Sequence, residues 1–188
     1  MRVYVVRHGE SAWNVTRQWS GWTDCPLTEK GRADAAKAGE FLKSVSFDRV
    51  YASDLSRARE TAEIAVPGCQ CEVTPLLREV NVGTLAGQPW TCLTPEDRAR
   101  IAVRGYADYD GESQEEFRGR IVQIQKQLEG LDCENVALFA HGGWLRCILE
   151  TVLEAKLSKA HLLCNNCTIA IFDCTNGIWK LHSWINLS

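Results

Sequence analysis

Apolar and polar positions along the chain switch between two periods, and the switches mark out the elements. Residues 3–6 form an unbroken apolar run suited to a strand covered on both faces. Thr28 can cap a helix over 29–43 whose inward stripe is Ala35, Ala38, Gly39 and Leu42. Residues 49–52 read as a second strand. Ser53 or Asp54 can cap the helix after it, with Leu55, Ala58, Ala62 and Ala65 inward and Pro67-Gly68 as its stop. Residues 71–74 give a weaker third strand. Between 75 and 111 the periodicity fails and prolines gather, which predicts loops around one short helix near 96–103. Ser113 and Glu116 then form a capping box. The helix it opens carries Phe117, Ile121, Ile124 and Leu128 on one face and is closed by Gly130. Residues 136–140 are a continuous apolar strand. His141-Gly142-Gly143 follows, then a helix with Leu145, Ile148, Leu149, Val152 and Leu153 inward. Residues 168–172 and 178–184 are strands joined around Asn176-Gly177, a hairpin signal.

Strand and helix alternate through most of this order, which predicts a three-layer α/β/α fold. Its sheet is mainly parallel, and the last hairpin adds an antiparallel edge strand. No repeat, low-complexity stretch or linker divides the 188 residues, so one domain is expected. The net charge of −3 argues against a nucleic-acid partner. No apolar run approaches the ~20 residues that span a bilayer, and the run at 3–6 is too short for a signal peptide. A cytoplasmic protein without a membrane partner is expected. The nine cysteines then read as reduced, mostly buried thiols. Cys164/Cys167 and Cys69/Cys71 have spacings that could serve zinc or redox chemistry, or only packing.

In open parallel sheets, ligands bind beyond the carboxyl ends of the strands. Arg7-His8-Gly9 follows the first strand. Ser53-Asp54 follows the second, with Arg57 in the next helical turn. His141-Gly142-Gly143 follows the strand at 136–140. Two of only four histidines thus reach one rim together with two arginines. Guanidinium forks suit phosphate oxygens, and helix N-termini near Leu55 and at Gly142 add partial positive charge. A neutral imidazole among them can attack phosphorus. Glu79, just after the third strand, can protonate the leaving oxygen.

Six blocks, in order, carry a family resemblance. They are residues 7–14 (Arg7, His8, Gly9, Glu10, Ser11, Ala12, Trp13, Asn14), 20–31 from Ser20-Gly21-Trp22 to Gly31, 53–62, 78–83, 111–113 and 140–143. The chain resembles the histidine phosphatase superfamily, in its phosphoglycerate mutase-like branch, over nearly its whole length. The resemblance implies that His8 is the nucleophile. It implies that Arg7, Arg57 and His141 hold the phosphate, with Asn14, Ser20, Gly21 and the Gly142 backbone lining the pocket. Glu79 becomes the proton donor and then the base for water. No metal or organic cofactor is implied. Ala86 stands where branches of the family often carry a glutamate, a departure that bears on branch and not on Glu79.

Mutases of the family share this core but carry a longer insertion between the positions of Glu79 and His141. The short segment here, about 80–112, predicts a small cap and an open pocket, with water as acceptor. A phosphatase acting on a small phosphorylated metabolite is therefore the first expectation, and phosphoglycerate mutase-type transfer the alternative. Within the cap, Trp90, Tyr106 and Tyr109 can stack on a ring, and Arg98, Arg100 and Arg104 can meet a second acidic group. Asp108, Asp110, Glu112, Glu115 and Glu116 would repel a polyanion if they faced inward. His161 reads as a loop residue, His182 as a solvent-facing edge residue, and Arg146 as the partner of Glu150 one turn on. The substrate and the oligomeric state are left open by the sequence.

Overall fold

In the computed structural model, which describes residues 1–157 and 162–187, the chain opens with β1 (Arg2–Arg7) and a single-turn α1 (Ala12–Val15). It continues through α2 (Glu29–Leu42), β2 (Arg49–Ala52), α3 (Ser56–Ala65) and β3 (Cys71–Val73). Short 3-10 turns and α4 (Pro95–Arg104) fill the irregular stretch. They are followed by α5 (Gln114–Glu129), β4 (Asn135–Ala140), α6 (Gly142–Leu153), β5 (Ile169–Thr175) and β6 (Ile178–Ile185).

The sheet order is β3-β2-β4-β1-β5-β6. The first four strands in that order are parallel, so their carboxyl ends share one rim. β5 pairs antiparallel with both β1 and β6. The strand that runs against the others is therefore one place in from the edge. Because Val6 pairs with Ile169, the residues leading into β5 arrive at the same rim as the end of β1.

Alternate residues of the central strands feed two cores. Val3, Val5, Val136 and Leu138 pack against Phe117, Ile121, Ile124 and Leu128 of α5 and Trp144, Leu145 and Ile148 of α6. Tyr4, Val6, Ala137 and Phe139 face Ala35, Ala38 and Leu42 of α2 and Ala62 and Ala65 of α3. Each fully buried large apolar side chain contributes about 1.5–3 kcal/mol. The alanine-rich faces of α2 and α3 let those helices lie close to the sheet. A third, smaller cluster of Val82, Leu85 and Leu93 underlies the irregular segment, with Trp19, Tyr106 and Tyr109 packed on it.

The start of α3 differs from the sequence expectation. Its N-cap residue is Leu55, whose side chain cannot cap. Asp24, from a distant loop, accepts from the Ser56 N–H (2.9 Å) and hydroxyl (2.8 Å) instead. Ser53 Oγ takes the Leu55 N–H, and Asp54 is committed to Arg78. At the end of α6, Leu153 is exposed where an inward position was expected. β5 runs on to Thr175. His182 sits on β6, half-exposed, with Nδ1 2.9 Å from Asp173 Oδ2. His161 lies outside the described residues. Among the described residues no helix is long and apolar enough to cross a membrane.

Candidate active site

His8 is the first residue past β1, and its N–H still bonds Ala140 O of β4 at 3.0 Å. That bond fixes the backbone as a continuation of the sheet. Its ring Nδ1 lies 2.6 Å from Gly9 O. A carbonyl only accepts, so Nδ1 carries the proton and Nε2 keeps its lone pair. Gly9 is required here because a Cβ would collide with Gly31 O of α2. The Gly9 N–H donates to Thr61 Oγ1 (3.0 Å), and Thr61 donates to Arg57 O (2.6 Å). The His8 loop is thereby tied to both helices of one face.

His141 is the first residue past β4 and the N-cap of α6, and its ring centroid lies 5.1 Å from that of His8, tilted by 60°. Arg57 is 1% exposed; its Nη2 donates to Gly21 O at 2.8 Å and its Nη1 to Thr23 O at 3.0 Å. Arg7 donates through Nη1 to Cys164 O, on the segment that enters β5. Both ring nitrogens of His141 and the Nε atoms of Arg7 and Arg57 are buried without a hydrogen-bond partner. Buried polar atoms rarely go unpaired. Three N–H groups among them, the two arginine Nε–H and the single N–H of a neutral His141, lie beside the His8 imidazole and form a seat for an acceptor-rich anion. Burial pushes His8 well below the ordinary histidine value, and Arg57 and Arg7 push it further. Burial does the same to His141, helped by Arg57, His8 and Arg7. Both rings are therefore neutral at ordinary pH, as a nitrogen nucleophile must be.

Glu79 meets the start of α6. Its Oε2 accepts from Gly143 N (3.0 Å) and its Oε1 from Val80 N (2.9 Å). A Cβ at Gly143 would collide with Oε1, so the second glycine after His141 makes room for this carboxyl. The α6 N-terminus is thus divided. Gly143 serves Glu79, while the Gly142 N–H, lacking an intrahelical acceptor, is left for a ligand.

The other residues expected at the site contribute in different ways. Asn14 Oδ1 accepts from Ser11 N, Ser11 Oγ and Asn166 Nδ2, each at 3.1 Å, which leaves only its N–H groups for a ligand. Gly21 acts through its carbonyl on Arg57. Its φ is +50°, and a Cβ would lie 2.7 Å from Val82 Cγ2. Ser20 Oγ is 3.9 Å from the buried Cys25 thiol.

Sequence reasoning missed Asn166 and Thr61. Asn166 Nδ2 donates to His8 O (3.1 Å) as well as to Asn14. The Cys164–Cys167 stretch therefore supports the His8 loop. Three strands separate β3, where Cys71 lies, from β5, so about 19 Å of sheet keeps the two cysteine pairs apart. The expected Arg146–Glu150 pair is not formed: Arg146 Nη1 is buried without a partner, and Glu150 Oε1 accepts from Leu157 N at 2.9 Å. In the segment 80–112, Arg100 pairs with Asp97 and Arg104 with Asp108. Arg98 donates to Trp90 O (2.6 Å), and Tyr106 meets Trp19 edge-on with centroids 5.9 Å apart.

Comparison with known proteins places this geometry. Residues 3–187 match the model of the histidine phosphatase superfamily (branch 1). A protein from Citrobacter koseri described as "Probable phosphoglycerate mutase GpmB" is 34% identical over 98% of this chain and 90% of its own length. The crystal structure of TTHB049 from Thermus thermophilus is 33% identical, covers 100% of both chains and superposes with a TM-score of 0.80. A phosphoglycerate mutase structure from the same organism is 31% identical, again covers 100% of both chains, and gives 0.77.

Proposed function

This chain belongs to the histidine phosphatase superfamily, and on that premise we propose that it hydrolyses a small-molecule phosphate monoester through a phosphohistidine on His8. The observation that carries the proposal is the group of buried, unpartnered nitrogens on Arg7, Arg57 and His141 around an imidazole whose Nε2 keeps its lone pair.

In the first step the phosphoryl oxygens meet Arg7, Arg57, His141 and the Gly142 N–H. His8 Nε2 attacks phosphorus in line. The P–N bond forms as the ester P–O bond breaks, and Glu79 gives its proton to the departing alkoxide. In the second step water attacks the phosphohistidine, Glu79 takes the water's proton, and the P–N bond breaks to release inorganic phosphate. The arginines neutralise the charge that a metal ion handles in other phosphoryl-transfer enzymes. Residues 80–112 act as a small cap over this pocket. The cap holds to the loop below through Gly87 N to Trp19 O (2.8 Å), Trp19 N to Gln88 O (2.9 Å) and Trp90 N to Arg17 O (2.8 Å).

The names of the relatives favour a second reading, transfer of the phosphoryl group between two positions of phosphoglycerate. One assay separates the two. The purified protein is incubated with a panel of phosphate monoesters, and with 3-phosphoglycerate, in the presence of a chelator. Inorganic phosphate and 2-phosphoglycerate are both measured. Hydrolysis predicts phosphate release at a rate that His8→Ala reduces by at least about 10³-fold. Isomer formation outrunning phosphate release selects the mutase. Full activity in His8→Ala ends both readings.

A further inference from the structure

Glu79 sits in an irregular stretch, where neither a helix nor a strand ladder satisfies the main chain or fixes its path. One side chain does both. Arg120, from the middle of α5, donates through Nη1 to Leu76 O (3.1 Å) and Arg78 O (3.1 Å), with a longer contact to Pro75 O (3.3 Å). Its Nη2 donates to Glu79 O (3.1 Å). The same guanidinium is held by Glu112 in a fork, Nε to Oε1 at 2.7 Å and Nη2 to Oε2 at 2.8 Å. Glu112 Oε2 then accepts from Asn81 N at 2.8 Å. The backbone is thus pinned on both sides of Glu79. Trp22 adds a third fixing point, its Nε1 donating to Glu79 O at 2.7 Å, with its ring packed under the guanidiniums of Arg78 (4.7 Å) and Arg120 (5.9 Å).

We infer that Arg120, locked by Glu112, is a positioning residue for the proton donor: it sets the backbone so that the Glu79 carboxyl meets the leaving oxygen. The inference rests on Glu79 being that donor. The fold alone does not call for an ion pair here. The two side chains are only 15% and 11% exposed, and taking such a pair out of water costs more than an apolar pair of the same volume. What the guanidinium supplies is a planar fork that bonds four carbonyls and a carboxylate together, which a lysine ammonium cannot reproduce. Its charge also reaches the pocket, where it is among the groups that hold His141 below its ordinary value.

The test uses the leaving group. kcat/KM covers the steps through phosphoenzyme formation, so it reports protonation of the departing oxygen. An alkyl ester such as glycerol 2-phosphate needs that proton. Nitrophenolate leaves without it. Arg120→Lys and Glu79→Gln are assayed on glycerol 2-phosphate and 4-nitrophenyl phosphate, with thermal melts run alongside. Arg120→Lys is expected to lose about 30-fold or more on the alkyl ester, within the range general acids supply, and several-fold less on the nitrophenyl ester. Equal losses on the two esters, or no loss on either, overturn the inference. If Glu79→Gln itself treats the two esters alike, the acid role of Glu79 fails and this inference falls with it. That outcome is recognisable because Arg120 is intact in that arm. Should Arg120→Lys not fold, Glu112→Gln carries the test, since it keeps the size of the side chain and removes the charge that locks the Arg120 guanidinium. A smaller split in the same direction supports the inference, and no split overturns it.

Discussion

His8 and His141 are fully desolvated imidazoles beside two guanidiniums, and this has a measurable cost outside catalysis. Both are held well below the ordinary histidine value in the folded state, by burial first and by Arg57 next. In the unfolded chain they titrate near 6.5. As pH falls through that value the unfolded state takes up protons that the folded state refuses, so stability falls with pH. Stability measured by urea unfolding from pH 7.5 to 5 is expected to drop by about 1.4 kcal/mol per pH unit for each histidine below the unfolded value. A flat profile across that window would mean that the rings are solvated. Gly143 gives a second test at this scale. Gly143→Ala puts a methyl against Glu79 Oε1 in a helical turn where alanine is otherwise preferred by up to about 1 kcal/mol. Turnover of alkyl esters is expected to fall by at least about tenfold while the melting temperature holds or rises. An unchanged rate would show that the carboxyl can relocate freely. The glycine pair was visible in the sequence as a helix start. That the second glycine makes room for Glu79 was not, because the contact joins residues 64 positions apart. Thr61 and Asn166 were hidden for the same reason. A threonine inside α3 reads as an ordinary helix position, and an asparagine between two cysteines draws attention to the cysteines.

At the scale of elements, strong local signals carried through and borrowed ones did not. The box of Ser113 and Glu116 is present, with Glu116 N donating to Ser113 Oγ (3.2 Å) and Ser113 N to Glu116 Oε2 (2.9 Å). The inward stripe of α5 is buried at every position expected. The cap of α3 could not be read locally, because Asp24 supplies it from another loop. That borrowing ties Arg57, one residue further along α3, to the loop whose Gly21 and Thr23 carbonyls hold its guanidinium. The local cap of α5 predicts a phenotype of its own. Ser113→Ala removes a local cap and is expected to lower stability by about 1 kcal/mol, read as a shifted urea midpoint at constant m-value. kcat/KM should fall little, because α5 is held by its buried face. A loss of activity as large as that of Arg120→Lys would show instead that the first turn of α5 governs the Glu79 segment.

At the scale of the whole molecule, the reversal of β5 completes the site. A sixth parallel strand would carry its lead-in to the far rim. Running antiparallel, β5 brings Cys164 and Asn166 to the end of β1, where they hold Arg7 and the His8 carbonyl. Arg7, Arg57 and His141, distant in sequence, thus converge, each with an N–H that has no partner of its own. An anion bound there is expected to stabilise the fold by mass action, about 2.7 kcal/mol at one hundred times its dissociation constant. For a chain of this size that is a rise in melting temperature of roughly 5–10 °C. Inorganic phosphate or orthovanadate provides the probe. His8→Ala keeps Arg7, Arg57 and His141, so it should be inactive yet still stabilised by the anion. Arg57→Met removes a guanidinium that is 1% exposed and should lose most of the shift, even if the free protein melts near the parent temperature. An anion shift that survives Arg57→Met, or disappears in His8→Ala, would place the anion elsewhere on the surface and detach the nucleophile from the phosphate it is proposed to attack.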